Sequence, residues 1–560
     1  MMKLNNIKML LLVAGVGVTT SLVSCSDKLD EVPDNRTEID TPEKVSQLLT
    51  SGYPLSSPAV ICELSGDNLV DDNIVVPATH NDPYAVFHDE AYKWGDIKNY
   101  GTGEDDTPYT VWETYFQGIA TANHAIAAMK EISADPAHDP ELSNSWGEAH
   151  VLRAYLHFVL VNVFAEAYKD ETQSAQDIAL PYVTEPETTV SVDYGQQRLS
   201  VAAFYNKIEQ DLLEGIDLIE DSRYKVPAYH FNHNAAHAFA ARFYLYRRQY
   251  DKVIEHANEA IGVNPSASLR KWNLISNNTS DAMLNGLNDE TQPCNFLLQS
   301  TYSLQDRMLT GCRHAINTGS TQDNIPSTKD IIYGSGPGWS GNLPVFRGRM
   351  FRPSAGSEFG SFHFKVIEYF EYTDKIAGIG FVHIIYQPFT AEETLLCRAE
   401  AKLYQGDRAG ALQDLAAWTA SKNVATALTQ NLVNSFYRGD HTSNIYVSDL
   451  HPQQMSSEFK TLEGDDLSLL HCVLHFRRIE TVFEGLRWFD IKRYGITVHH
   501  AYRGPRDYNI THDYLEWNDP RRVLQIPNNV VAAGYPSTDR TQTAPNVNDA
   551  MSNPPVRISE

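Results

Sequence analysis

The sequence predicts a mainly α fold: a tetratricopeptide-like helical repeat scaffold with irregular loops and short strands on one side. Three observations predict it. Several long stretches carry apolar residues at three- and four-residue steps, the period of one helix face. Two stretches, Ala240 to Ile261 and Glu392 to Ala420, read as small-residue helix, tight turn, second helix, which is the junction of a helical repeat array. Between them, residues 265–390 lose that period and become rich in Gly, Pro, Asn, Ser and Thr with scattered aromatics. A span of that length without helical periodicity is functional or disordered rather than a connector, and its aromatic rings argue against disorder. With 560 residues, 42% hydrophobic and 11% aromatic, the chain has ample material for a large core.

Residues 1–24 read as a signal peptide. Lys3 and Lys8 make a positive start, and Met9 to Val18 is an apolar run too short to span a bilayer. Leu22-Val23-Ser24-Cys25 matches the bacterial lipobox. A diacylglycerol thioether on Cys25, with a further acyl chain, gives a firm hold because stable anchoring takes more than one chain. Residues 25–41 then form a lipidated acidic linker, beginning Ser26-Asp27-Lys28-Leu29-Asp30-Glu31. Residues 42–560 are expected to be one domain. Its N-terminal part covers about 42–265, a loop-rich ligand-side part about 265–390, and a C-terminal part about 390–560.

Within that domain, Thr41 and Pro42 open a short helix as N-cap and first residue. Residues 61–108 are loop-like. Asp67, Asp71, Asp72 and Asn73 lack the order and the glycine of a calcium loop, and are read as solvated. Tyr109 to Ile132 is a long helix. Ser145 to Tyr168 is apolar nearly all round and therefore buried on most sides. Arg153 inside it demands a carboxylate partner, since an unpaired buried cation is costly. Val201 to Glu220 is amphipathic. Then come the first repeat junction, the loop-rich span with strand-like stretches at Phe364 to Tyr372 and Gly380 to Tyr386, and the second junction. About four helix pairs are expected. Late in the chain, Phe476, Ile479, Phe483, Leu486 and Phe489 draw one apolar face through Phe476 to Gly495. This reads as a single helix, with Glu484–Arg487 and Arg487–Asp490 as i,i+3 ion pairs and Gly495 as its stop. Charge pairs at helical spacing usually serve structure, so these are read as packing groups rather than catalytic ones.

Composition narrows function by exclusion. A net charge of −26 argues against nucleic acid, whose phosphates need a basic surface. It also repels anionic headgroups, so membrane attachment rests on the lipid alone. Besides Cys25 there are Cys62, Cys294, Cys312, Cys397 and Cys472, with no CxxC and no zinc spacing. Cys397 and Cys472 are expected to be buried thiols; Cys294 and Cys312 are the candidate pair for a bridge in an oxidising compartment. No metal site and no cofactor is predicted. No HExxH, GxSxG, Walker loop or Rossmann glycine pattern occurs. Two acids about 5–9 Å apart suffice for a glycoside hydrolase, and composition alone leaves that alternative open.

The stretch 476–495 resembles the C-terminal signature of the SusD/RagB family. Arg477, Glu480, Phe483, Glu484, Gly485, Arg487, Trp488, Asp490 and Arg493 match it, and Phe476 stands where the family has Glu. Further blocks agree. Trp112, Tyr115, Phe116, Ile119, Ala122 and Asn123 resemble one family helix, and Glu148, Arg153, Ala154 and Leu160 another. Arg522 to Pro527 resembles the closing segment, with Gln525 at a usual Pro. The resemblance implies an α-α superhelix and a lipid-anchored, non-enzymatic protein. It further implies placement on the outer face of the outer membrane, in keeping with the acidic run after Cys25. There it captures an oligosaccharide and caps a SusC/RagA-like TonB-dependent transporter; a peptide-binding lid is the alternative. The family has no fixed binding motif, so candidate ligand residues are chosen by position. Sugars lie on aromatic rings, and bulky rings on exposed loops lack a packing reason to be there. Tyr92 and Trp94, Tyr333 and Trp339 in a glycine-rich loop, and Tyr302 fit. Structurally, Trp94 and Trp339 would instead pin their loops to the scaffold.

Overall fold

A computed structural model describes residues 38–540, except 72–85, 102, 188–193, 276–284, 311–312, 317–330, 347–351, 354–360, 363 and 503–509. The signal peptide, Cys25 and most of the acidic linker, together with Asp72, Asn73 and Cys312, lie outside these residues.

Helix α1, Pro42–Thr50, begins as the sequence dictates: Thr41 Oγ1 accepts from the Lys44 N–H at 3.3 Å and Pro42 occupies the first turn. Next come α2, Ala59–Ser65, and α3, Val86–Tyr92. The long helices are α4, Pro108–Ile132, α5, Ser143–Phe164, and α6, Val201–Gly215, which ends in a 3₁₀ turn. The first repeat junction is α7, His233–Tyr246, and α8, Tyr250–Ile261. The second is α9, Ala391–Tyr404, and α10, Arg408–Ser421. Helices α11, Gln430–Phe436, α12, Asp465–Glu480, and α13, Leu486–Tyr494, complete the set used below.

Sequential helices pack as pairs: α4 on α5, α5 on α6, α7 on α8 and α9 on α10, with α8 also against α9. The scaffold is therefore the helical repeat array that the periodicity predicts. Small residues set the closest approach. A Cβ on Gly147 of α5 would lie 2.7 Å from Gly215 O of α6, and one on Gly215 would lie 2.5 Å from Gly147 O. Helix α5 is buried all round, and Arg153 has the carboxylate it needs in Asp211 of α6 (2.7 and 2.8 Å).

The loop-rich span adds a three-stranded antiparallel sheet in the order β1-β3-β2, where β1 is Asn295–Thr301, β2 Tyr369–Asp374 and β3 Ile379–Thr390. Strand β3 leads directly into α9, and Thr390, its last residue, caps that helix. The strand-like reading of Gly380 to Tyr386 is met inside β3. That of Phe364 to Tyr372 is met only from Tyr369, because Phe364–Val366 forms a 3₁₀ turn. A hairpin of β4, Val498–Tyr502, and β5, Thr511–Leu515, pairs Val498 with Leu515 and Tyr502 with Thr511. Cys62, Cys294, Cys397 and Cys472 are buried free thiols.

Two readings of secondary structure need correction. Residues 61–108 are not loop-like throughout: α2 runs into that span and α3 lies inside it. Phe476 to Gly495 is not one helix: the chain leaves α12 at Glu480 and re-enters α13 at Leu486. Between them Phe483 and Gly485 take positive φ, 65° and 78°, a region no helix uses. The break is held from afar, by α2. The Gly485 N–H donates to Glu63 Oε1 at 3.0 Å, and Gly485 lies so close that a Cβ would meet Ala59 Cα at 2.9 Å. Gly495 does end α13, at φ 59°.

Candidate functional site

The segment around the break is densely cross-linked by ion pairs. Arg477 donates to Glu393 Oε1 (3.1 Å) and Asp490 Oδ2 (3.0 Å), and Asp490 also accepts from Arg493 at 2.7 Å. Arg493 in turn binds Glu400 of α9. Glu480 pairs with Lys422 at 2.6 Å and accepts from Trp418 Nε1; Glu484 pairs with Lys365. Arg487 reaches back to Asp67 with two bonds, at 2.7 and 2.8 Å. The i,i+3 pair Glu484–Arg487 is replaced by pairs to other elements, because the helix break turns those two side chains apart; Arg487 and Asp490 share α13 but bond other partners, Asp67 for Arg487 and Arg477 with Arg493 for Asp490. Trp488 is fully buried. Burial pushes the Asp67 carboxyl upward, but Arg478 and Arg487 outweigh it and hold it well below the carboxylate range. Every acid of this network has a cationic partner within the core. The arrangement ties α9, α12 and α13 together and offers no acid–base pair to solvent. Phe476 stacks on Trp418 at 4.3 Å.

The predicted ligand rings do not form one surface. Tyr92 and Trp94 are each 1% exposed. They sandwich His500 of β4, with ring centroids 4.0 and 4.2 Å away, and Trp94 Nε1 donates to Ser65 O at 2.8 Å. Tyr333 is 0% exposed. These three are corrected: packing from distant segments covers them, and no face is left for a ligand. Trp339 is half-buried. Its indole folds back over Gly336, where a Cβ would lie 2.1 Å from the ring, and Nε1 donates to Gly334 O at 3.0 Å. The other side of the ring approaches Phe476 at 5.9 Å. Trp339 thus folds over its own loop. Tyr302 is half-buried, edge-on to Phe381 of β3 at 4.9 Å. Of the acids weighed for calcium, Asp67 faces Arg487 and Asp71 faces Arg313. Among the described residues, no three His, Cys, Asp or Glu side chains are placed to hold a metal ion.

What the Trp339 loop does supply is one wall of a cleft of about 720 Å³. Ser335 and Asn342 come from that loop. The facing wall comes from the end of α11 and the turn after it: Phe436, Arg438, Asn444 and Tyr446. The Ser335 hydroxyl accepts from Gly341 N at 2.9 Å and fixes the loop; the Asn444 side-chain amide donates to Phe436 O and Arg438 O and fixes the turn. Phe436 and Tyr446 lie 4.5 Å apart at 42°. The walls are therefore rigid, rich in hydroxyl and amide groups, and carry two rings and one exposed guanidinium. Sequence reasoning missed the second wall. Its signal was present: Arg438-Gly439-Asp440 and Ser443-Asn444 are turn residues flanked by aromatic rings, the same pattern that singled out Tyr333 to Trp339.

Residues 27–245 match a family described as SusD-like, "Starch-binding associating with outer membrane". No curated protein matches the chain. Among solved structures, a SusD superfamily protein from Bacteroides vulgatus is similar with TM-score 0.56 and 18% identity, covering 90% of this chain and 99% of that one. A SusD superfamily protein from Bacteroides thetaiotaomicron has TM-score 0.54 and 16% identity, covering 89% and 100%. A SusD-like carbohydrate binding protein from Bacteroides vulgatus has TM-score 0.51 and 15% identity, covering 85% and 89%. At such identities the likeness speaks to the fold.

Proposed function

For a chain that is SusD-like in fold and, over residues 27–245, in sequence, we propose a glycan-binding lipoprotein of the outer cell surface. It captures an oligosaccharide without chemistry and delivers it to a SusC-like TonB-dependent transporter. The observation that carries the binding role is the cleft between the Trp339 loop and the turn after α11. Amides and hydroxyls suit sugar hydroxyls, and the Phe436 and Tyr446 rings suit the flat C–H faces of a pyranose. Its volume falls within the roughly 300–1,000 Å³ of small-molecule sites. The described residues contain no helix long and apolar enough to cross a membrane, and the proposed hold on the membrane is the lipid on Cys25. The named partner of the matched family, starch, makes α-glucans the first ligands to try.

Calorimetry on the mature chain with maltohexaose, cellohexaose, xylohexaose and hexagalacturonate, and with a peptide mixture, tests the reading. Tyr446→Ala should weaken the bound glycan at least about tenfold, the size of one lost contact of about 1.4 kcal/mol. Peptide binding with no glycan binding would sink the proposal. In cells, Cys25→Ala should release the protein from the membrane. A gentle detergent extract of the wild type should co-purify a TonB-dependent barrel; its absence would remove the transporter from the proposal.

A further inference from the structure

A second concavity, of about 540 Å³, shares no residue with the cleft. It lies where α4 meets the chain at 181–187, the turn at 194–195 and the segment 530–535. Trp112 and Phe116 stand one turn apart on α4, both half-buried, with centroids 4.8 Å apart at 46°. Tyr535 meets Trp112 edge-on at 5.5 Å, and Phe164 braces the Trp112 ring from the core at 5.4 Å. The Tyr535 hydroxyl is buried and, among the described residues, has no hydrogen-bond partner. Glu185 and Glu187 are exposed on the same lining, and the Tyr194 hydroxyl donates to Glu187 Oε1 at 2.5 Å.

These features are not those of a packing defect. A buried hydroxyl without a partner forfeits its hydration, and hydrocarbon filling the hollow would leave it unanswered and cover the exposed Glu185 carboxylate. Two carboxylates on the lining disfavour an anion. A ligand with a flat apolar face and a fringe of hydroxyls answers every group at once. Resting on the reading that this chain binds glycans, we propose that this concavity is a second glycan-binding site. It takes one pyranose unit with its C–H face on Trp112 and its hydroxyls donating to Glu185; a small shift of the Tyr535 ring opens its buried hydroxyl to the same sugar.

The test is the stoichiometry of the same hexasaccharide titrations. The wild type should bind two molecules of the recognised hexasaccharide per chain. Trp112→Ala should leave one, bound at the cleft with unchanged affinity. Because that change also strips packing from Phe164, Tyr535→Phe serves as the gentle variant: it keeps the ring and the fold, and should weaken the second site about three- to tenfold. A single molecule per chain, abolished by Tyr446→Ala and indifferent to Tyr535→Phe and Trp112→Ala, overturns this inference and leaves the proposed function standing. A single molecule per wild-type chain that survives Tyr446→Ala but is weakened by Tyr535→Phe removes the cleft and supports this site. No binding by any of the four hexasaccharides overturns both.

Discussion

Asp211 shows how single residues hold this protein. Its carboxylate accepts from Arg153 through two nitrogens and from the Tyr182 hydroxyl at 2.6 Å, and it faces His150 Nδ1 at 3.1 Å. Burial pushes the carboxyl up; His150 and Arg153 outweigh it and hold it well below the carboxylate range. A depressed acid of this kind contributes stability that is present above its unfolded pKa, near 4, and is lost as pH falls through the folded value. Asp211→Asn strands the buried Arg153 charge, and chemical denaturation should register a loss of about 3–5 kcal/mol. The double change Arg153→Met with Asp211→Leu should cost clearly less than the single one, because it removes both charges rather than one. Equal losses would show that the ion pair, not the stranded charge, is what matters.

At the scale of elements, the turn between α12 and α13 decides where the signature side chains point. Were the helix continuous, Arg487 would lie beside Glu484; with the break it reaches Asp67 near α2. Gly485 is the residue that permits this, by its φ of 78° and its contact with Ala59. Gly485→Ala therefore carries a backbone cost of about 1–3 kcal/mol and a clash besides. Gly406, at φ 86° in the turn between α9 and α10 with nothing within 4 Å of an added Cβ, is the control, and its alanine variant should lose only about 1 kcal/mol. Comparable melting temperatures for the two variants would contradict the role given to the α2 contact.

For the molecule as a whole, buried titratable groups set an optimum of stability. Burial pulls His157 down to about 3, and His471 and His475 to about 4. Depressed bases stay neutral in the fold while the unfolded chain takes up protons below about 6.5. Their contribution is thus complete above that value and is lost as pH falls toward 4. Glu63 and Asp106 run the other way. Burial raises both to about 7 against the pull of their hydrogen bonds. Their stability is present below the unfolded pKa near 4 and lost as pH rises through 7. The melting temperature should climb from pH 5 to about 6.5 and ease off by pH 8, and Glu63→Gln should flatten the alkaline side. A profile that is level between pH 5 and 6.5 would rule out the histidine account.

The helices were legible because their causes are local. Thr41 with Pro42, the three- and four-residue steps of α4 and α6, and the small residues of both repeat junctions act within a few residues of themselves. The need of Arg153 for an acid was legible for the same reason: an all-apolar helix leaves a cation nowhere else to go. What tertiary structure alone decided were the faces of rings and the geometry of turns. Trp94 sits in a loop by sequence and in the core by structure, because His500, four hundred residues later, stacks on it. The α12–α13 break depends on a carboxylate of α2. The cleft joins residues about a hundred positions apart, 335–342 and 436–446. Helical periodicity is a property of neighbours in the chain, whereas exposure is a property of whatever the rest of the chain packs on top.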